Sequence, residues 1–380
     1  MVKNLNKIRL SKSSISEKEL DAVSSVLRKE YLGMGTEVSA FENELSNFFE
    51  VPNKNIAIVS SGTAALHLAL ESLDLDDGSE VLVPSITYVA SYQAITAARL
   101  KPVSCDVDLD SMLISCESSK SKLSEKTRAI MIVHYGSNCD IPKKLYDFAL
   151  QNELHIIHDA AHSFGCDNLN INKSAKNEIY CFSFDGIKNI TSGEGGAVIS
   201  FNQANIDSVR DSRLLGVHKD SEKRVNRERS WTFDVLRQGY RYHMSEIFAA
   251  IGRVQLERFS DFKNHRRKIL NKYLDTLHHP KITIPNFYQE NIQSIVPHIF
   301  CVRVHSGRDD LREFLLTKGI ETGIHYYPNH LLTKFSNNES LVNSELFFSE
   351  AITLPMHFDL KLSEVERICS EIEAFFLNQK

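Results

Sequence analysis

Lys188 lies in a polar stretch between two apolar runs, Tyr180–Phe184 before it and Ala197–Ser200 after it. The flanking runs have the aromatic and β-branched character of buried strands, and the stretch from Asp185 to Gly196 holds four glycines. A lysine on a loop between buried strands gives up its proton more easily than one in water. Its amine can then condense with a carbonyl as a Schiff base. An exposed surface lysine is the plain alternative, and three other stretches bear on the choice.

Ser60-Ser61-Gly62-Thr63-Ala64-Ala65 follows one apolar run and opens a helical one. Small residues there let backbone N–H groups approach an anion, and the helix N-terminus adds favourable potential; an ordinary helix cap fits the same residues. Tyr88, just after Pro84-Ser85-Ile86-Thr87, offers a flat face for stacking or a core side chain. Asp159 ends the run Ile156-Ile157-His158. A carboxylate in that position needs a cationic partner, either a ligand's protonated ring nitrogen or a structural salt bridge. His162 lies three residues on and could bond the same ligand. Together the stretches ask for a phosphate, a flat ring, a ring nitrogen and an aldehyde. Pyridoxal 5'-phosphate carries all four, with Ser183 within reach of the phosphate from its strand.

The elements that must hold these residues alternate. Strands are expected at Ile56–Val59, Glu80–Pro84, Pro102–Val107, Ala129–His134 and His155–His158, with helices at Ala64–Leu73, Tyr88–Ala98 and Pro142–Asn152. Such order predicts an α/β fold, a mainly parallel sheet covered by helices, with ligands at the carboxyl ends of the strands. Ahead of it, Ser16–Glu30 reads as a helix with a Ser16/Glu19 capping box and an apolar stripe of Leu20, Val23 and Leu27. Thr36 is expected to cap a second helix with Val38, Phe41, Leu45 and Phe48 on its apolar face. After Ser200 the pattern loosens: one or two helices over Ser245–Leu277, a strand at Phe300–Val304, and helices at Asp309–Lys318 and Glu364–Phe376, the last capped by Ser363. Two domains are expected from the 380 residues, with a boundary near Leu256.

Composition narrows the function. A net charge of -5 gives no basic surplus for general nucleic-acid binding. No apolar run is long enough to cross a bilayer, and the basic N-terminus lacks a signal peptide's apolar core. Seven scattered cysteines without metal-ligand spacing read as reduced thiols of a cytoplasmic protein.

The motifs together resemble the DegT/DnrJ/StrS family of sugar aminotransferases, of pyridoxal-phosphate fold type I. They are Ser61-Gly62-Thr63-Ala64-Ala65-Leu66, Pro84-Ser85-x-Thr87-Tyr88-Val89-Ala90, Asp159-Ala160-Ala161-His162, Phe182-Ser183-Phe184-x-x-x-Lys188, Gly193-Glu194-Gly195-Gly196-Ala197, Tyr242-x-Met244-Ser245-Glu246 and Leu354-Pro355-Met356-His357. The resemblance implies a large cofactor domain over residues 1–255, a smaller C-terminal α/β domain over 256–380, and a homodimer with shared active sites. It implies that Lys188 forms the Schiff base and then shuttles the proton, that Asp159 pairs with the pyridine nitrogen, and that Tyr88 stacks on the ring. His162 would contact the ring hydroxyl; Gly62, Thr63, Ala64 and Ser183 would hold the phosphate. Many members reach the neighbouring subunit's phosphate with an asparagine near Tyr242; here Arg241 or His243 would have to do so.

The implied reaction moves an amino group from L-glutamate to a keto group of a nucleotide-linked sugar. The stretch Thr191–Gly196 resembles members that aminate C4 rather than C3. His325 and Tyr327 are candidates for sugar contacts or for packing between domains. A run from Lys219 to Arg229 reads as a solvated charged loop or a cover for the diphosphate. Two other functions share the scaffold: nucleotide-sugar dehydration, where members carry histidine at the lysine position, and a catalytically silent regulatory protein.

Overall fold

The computed structural model describes residues 7–218, 232–336 and 339–377. The Lys219–Arg229 run lies outside the described residues. Seven strands form the main sheet: β1 (Ile56–Val59), β2 (Glu80–Pro84), β3 (Lys101–Cys105), β4 (Thr127–Val133), β5 (His155–Asp159), β6 (Glu178–Ser183) and β7 (Gly196–Ser200). Their order is β1-β7-β6-β5-β4-β2-β3. Strands β2 to β6 pair in parallel, while β7 runs antiparallel to both β6 and β1. It follows that β1 points the same way as β6, and six carboxyl ends share one edge. This is the expected α/β fold type I sheet. Six of the seven strands are almost wholly buried, which is why they read as continuous apolar runs rather than alternating ones.

A second sheet of three antiparallel strands follows, in the order β10-β9-β8: β8 (Ile282–Thr283), β9 (Phe300–Val304) and β10 (Ala351–Leu354). Two consecutive helices, Glu246–Glu257 and Phe259–Thr276, lead into it. One apolar core runs through both parts, joining Phe41, Phe164 and Phe182 to Phe300, Leu311 and Ile352.

Three helical expectations need correction. In the helix Glu17–Arg28 the capping box is present, but Leu20 and Leu27 face solvent, 56% and 49% exposed. A polar contact sets its inner face instead: buried Glu19 accepts hydrogen bonds from Gln255 at 2.6 Å and from Arg258. Thr36 is the first residue of its helix rather than the cap, and Glu246 reaches in to take the amides of Gly35, Glu37 and Val38. The last helix begins at Leu362, so Ser363 lies within it; Glu364 folds back to accept the Lys361 amide at 2.8 Å. The helices Cys116–Lys122 and Gln203–Ser212, and the helix-strand pair Val342–Glu350 and β10, had no counterpart in the sequence reading.

Candidate active site

The carboxyl edge of the main sheet borders a cavity of about 340 Å³. Four strand ends deliver its polar groups.

Beyond β1, Ser61 caps the helix Gly62–Glu71, its hydroxyl accepting the Ala64 amide at 3.0 Å and its carbonyl the Ala65 amide. The amides of Gly62 and Thr63 belong to the first turn, where a helix has no acceptor of its own. Both residues line the cavity. A Cβ on Gly62 would stand 2.6 Å from the Ser183 Cβ, so only glycine lets the end of β6 close on the helix start. The result is a cradle of amides and hydroxyls at a positive helix end, shaped for an anion. Ala64 stands apart, since its amide is already committed to Ser61 and the residue does not line the cavity.

At the end of β5, Asp159 is 7% exposed. Its carboxylate accepts from the Ser91 hydroxyl at 2.8 Å and the Ala161 amide at 3.2 Å. Burial pushes this carboxyl up, and two neutral donors do not neutralise it. The Lys188 charge acts on it, yet among the described residues no cation is hydrogen-bonded to it, which leaves a place for a protonated ring nitrogen.

Lys188 sits on the loop between β6 and β7, its own amide turned back onto the Asp185 carbonyl at 3.0 Å. Burial pulls its ammonium down to about 8, against the pull of Asp159 and Asp185, which favour the charged form. Its Nζ lies 3.3 Å from Nε2 of His298. His162, 6% exposed, shares a hydrogen bond of 3.0 Å with the Tyr326 hydroxyl, and its Nδ1 is buried with no partner. Burial, then the nearby Lys188 charge, push His162 well below the ordinary histidine range.

The remaining expected residues separate. Tyr88 is 61% exposed at the cavity rim, its ring centroid 5.8 Å from that of Tyr326, which disposes of the core reading. His325 lines the cavity, accepts or donates at Nδ1 with Thr353 at 2.8 Å, and is pulled down to about 4 by burial. Tyr327 does not line it; its ring packs edge-on against Phe348 with 4.9 Å between centroids. The neighbouring Tyr326 takes that place. Arg241 is exposed and His243 half-buried, and neither lines the cavity of its own chain. Their segment runs past the phosphate end, where the Ser60 amide donates to the Tyr242 carbonyl at 2.6 Å.

Sequence reasoning missed His298, Tyr326 and Ser91. Ser91 lies on the helix Val89–Ala97, three residues beyond Tyr88, and its spacing from the Tyr88 motif was the one signal present. Tyr326 stands between the two candidates His325 and Tyr327 and was passed over for its neighbour, while His298 comes from far along the chain with nothing local to mark it.

The comparisons with known proteins fit this geometry. The model of the DegT/DnrJ/EryC1/StrS aminotransferase family matches residues 13–373. The chain belongs to this family. A curated relative from Methanocaldococcus jannaschii, the uncharacterized protein MJ1066, is 29% identical over 353 residues, covering 90% of this chain and 91% of the relative. Among solved structures, the aminotransferase TlmJ from Streptoalloteichus hindustanus superposes with a TM-score of 0.84 at 26% identity, covering 99% and 100% of the two chains. The putative sugar aminotransferase Spr1654 from Streptococcus pneumoniae, solved in PLP and PMP forms, gives 0.87 at 26% identity over 97% and 98%. Membership makes the protein an aminotransferase by family, as the motifs implied. Among the described residues no helix is long and apolar enough to cross a membrane, and all seven cysteines are buried and free.

Proposed function

We propose that this protein is a pyridoxal-phosphate-dependent aminotransferase that moves the amino group of L-glutamate to a keto group, C4 rather than C3, of a nucleotide-linked keto-deoxy sugar. One observation carries the reading: a lysine amine lowered to about 8 shares one cavity with a buried carboxylate to which, among the described residues, no cation is hydrogen-bonded. The cavity's residues fit the cofactor. The Gly62–Ser183 cradle suits its phosphate, Asp159 its ring nitrogen, and the orphaned Nδ1 of His162 its ring hydroxyl. When bound, the cofactor supplies an electron sink and carries the amino group from donor to acceptor.

The chain's own residues do the rest. Asp159, which takes hydrogen bonds from Ser91 and the Ala161 amide, would hold the cofactor's ring nitrogen protonated. Tyr88 would stack on the ring from the rim, and Lys188 would offer its amine to the reacting carbon. A base near neutrality is suited to take a proton there and return it one carbon away. Lysine at this position favours amination over the dehydration run by family members with histidine, and the intact site argues against a silent regulatory protein.

The described lining residues include one amine, Lys188, and no arginine. The diphosphate of the substrate and the carboxylates of glutamate need others. That supports a homodimer in which Arg241 or His243 of a second copy completes each site, with residues 1–255 as the cofactor domain and 256–380 as the smaller one. Free buried thiols suit a cytoplasmic setting. The Glu194 side of the cavity, on the Thr191–Gly196 stretch, supports the C4 assignment by resemblance only.

The test is an absorption spectrum of the loaded protein with L-glutamate and no sugar. Loss of the visible band with release of 2-oxoglutarate is expected. A bound cofactor that glutamate leaves unchanged would point to another donor or to dehydration. Nitrogen on C3 in the product's magnetic resonance spectrum would overturn the C4 assignment.

A further inference from the structure

Among the described residues, Lys188 Nζ has one hydrogen-bonding partner, and it comes from another part of the chain. His298 precedes β9 of the small sheet yet places Nε2 3.3 Å from the amine. The backbone that carries the ring is held on both sides. The His298 amide donates to the Ser137 hydroxyl at 3.0 Å, and its carbonyl accepts from the Arg266 guanidinium at 3.3 Å. Ser137 also donates to the carbonyl of Val296 at 2.8 Å. The ring itself lies 4.4 Å from that of His162, centroid to centroid. His298 is 4% exposed.

We propose that His298 is a positioning residue for Lys188: it holds the free amine at the mouth of the cofactor cavity by accepting a hydrogen bond from it. The inference rests on reading Lys188 as the cofactor lysine. A neutral imidazole can accept at Nε2 only if its proton sits on Nδ1, and that atom is buried with no partner among the described residues. Burial, and after it the neighbouring Lys188, His162, Arg266 and His325, push the ring well below the ordinary histidine range and so favour its neutral form. A long, flexible side chain released from the cofactor would otherwise sample many rotamers. Anchored to a buried ring whose backbone Ser137 and Arg266 hold, it stays where it can meet the reacting carbon again.

The consequence is measurable without turnover. An ammonium that loses a buried acceptor is destabilised, so its proton leaves at lower pH. The experiment uses the full chain stripped of cofactor, and labels amines with formaldehyde and borohydride across a pH series. Lys188 is followed by peptide mass spectrometry. In His298→Leu the labelling midpoint of Lys188 is expected to fall by about one unit, so labelling below the midpoint rises roughly tenfold. His298→Asn, which retains an acceptor, is expected to return most of the shift. Equal midpoints in all three proteins would overturn the proposal, and so would equal shifts in Leu and Asn, which would mark a packing role. Prior addition of pyridoxal phosphate should block labelling of Lys188 in the unsubstituted protein. Failure to block would overturn the cofactor reading itself; blocking with unmoved midpoints would overturn only the role of His298.

Discussion

His158 and Asp159 are neighbours on β5, and their side chains enter two different polar clusters. On the His158 side the network is closed. His158 Nδ1 bonds His134 Nε2 at 3.1 Å, and its Nε2 bonds Glu178 at 3.2 Å. His134 Nδ1 bonds Ser163 at 2.7 Å; Glu178 also accepts from Tyr180 at 2.7 Å and Asn172 at 3.1 Å. The imidazole of His158 stacks on the ring of Tyr180, 4.2 Å away. On the Asp159 side the network is open. Among the described residues, Lys188 has one partner at 3.3 Å, His162 and His298 each keep a buried nitrogen without one, and no cation is hydrogen-bonded to Asp159. Both clusters are buried and both contain shifted groups. Both line a cavity, and only one is short of partners. Burial and pKa displacement alone do not mark a functional site; unmet valence at a cavity wall does.

The largest effect that would break this contrast is at Lys188. Lys188→Ala is expected to lower glutamate-dependent formation of 2-oxoglutarate by at least about a thousandfold with the fold intact. Retained activity would place the chemistry elsewhere. Next comes Asp159→Asn, which keeps the shape but not the charge. A fall of about a hundredfold in kcat/KM is expected, because the ring nitrogen is no longer held protonated. A fall below fivefold would make the carboxylate structural, like Glu178.

The pH dependence sharpens the contrast further. Schiff-base formation needs the neutral amine, and Lys188 is lowered to about 8. The rate of cofactor uptake by the stripped protein should therefore rise roughly tenfold per pH unit up to that value and level off above it. A flat profile from neutral pH upward would mean a far lower midpoint. The closed cluster should behave in the opposite way. His158→Phe leaves Glu178 buried without its imidazole, and the thermal midpoint is expected to fall by several degrees while kcat changes less than about twofold. A large loss of kcat at unchanged stability would join the two clusters into one machine. The smallest effect is at Tyr327, outside the cavity: Tyr327→Phe should alter kcat/KM by less than about twofold, and Tyr326→Phe by more, since it frees His162 Nε2.

The open cluster was partly legible in the sequence because its members sit at strand ends inside short motifs. Lys188, Asp159, Ser183 and Gly62 each follow a run whose apolar pattern announces a buried strand, so their place at the edge could be inferred. His298 and Tyr326 follow no such rule. They reach the cavity because the small sheet docks against the large one, and tertiary docking leaves no local period. Tyr327 was preferred to Tyr326 for the same reason, since the backbone path between β9 and β10 decides which of two adjacent tyrosines turns inward. On the first helix the apolar stripe misled, as the Glu19 contact with Gln255 and Arg258 outweighs two leucines in choosing the buried face.

The most direct test of the account is borohydride reduction of the protein incubated with pyridoxal phosphate, followed by peptide mapping. The account predicts the cofactor's mass on the peptide that contains Lys188 and on no other. An adduct spread over surface lysines, or none on Lys188, would contradict it.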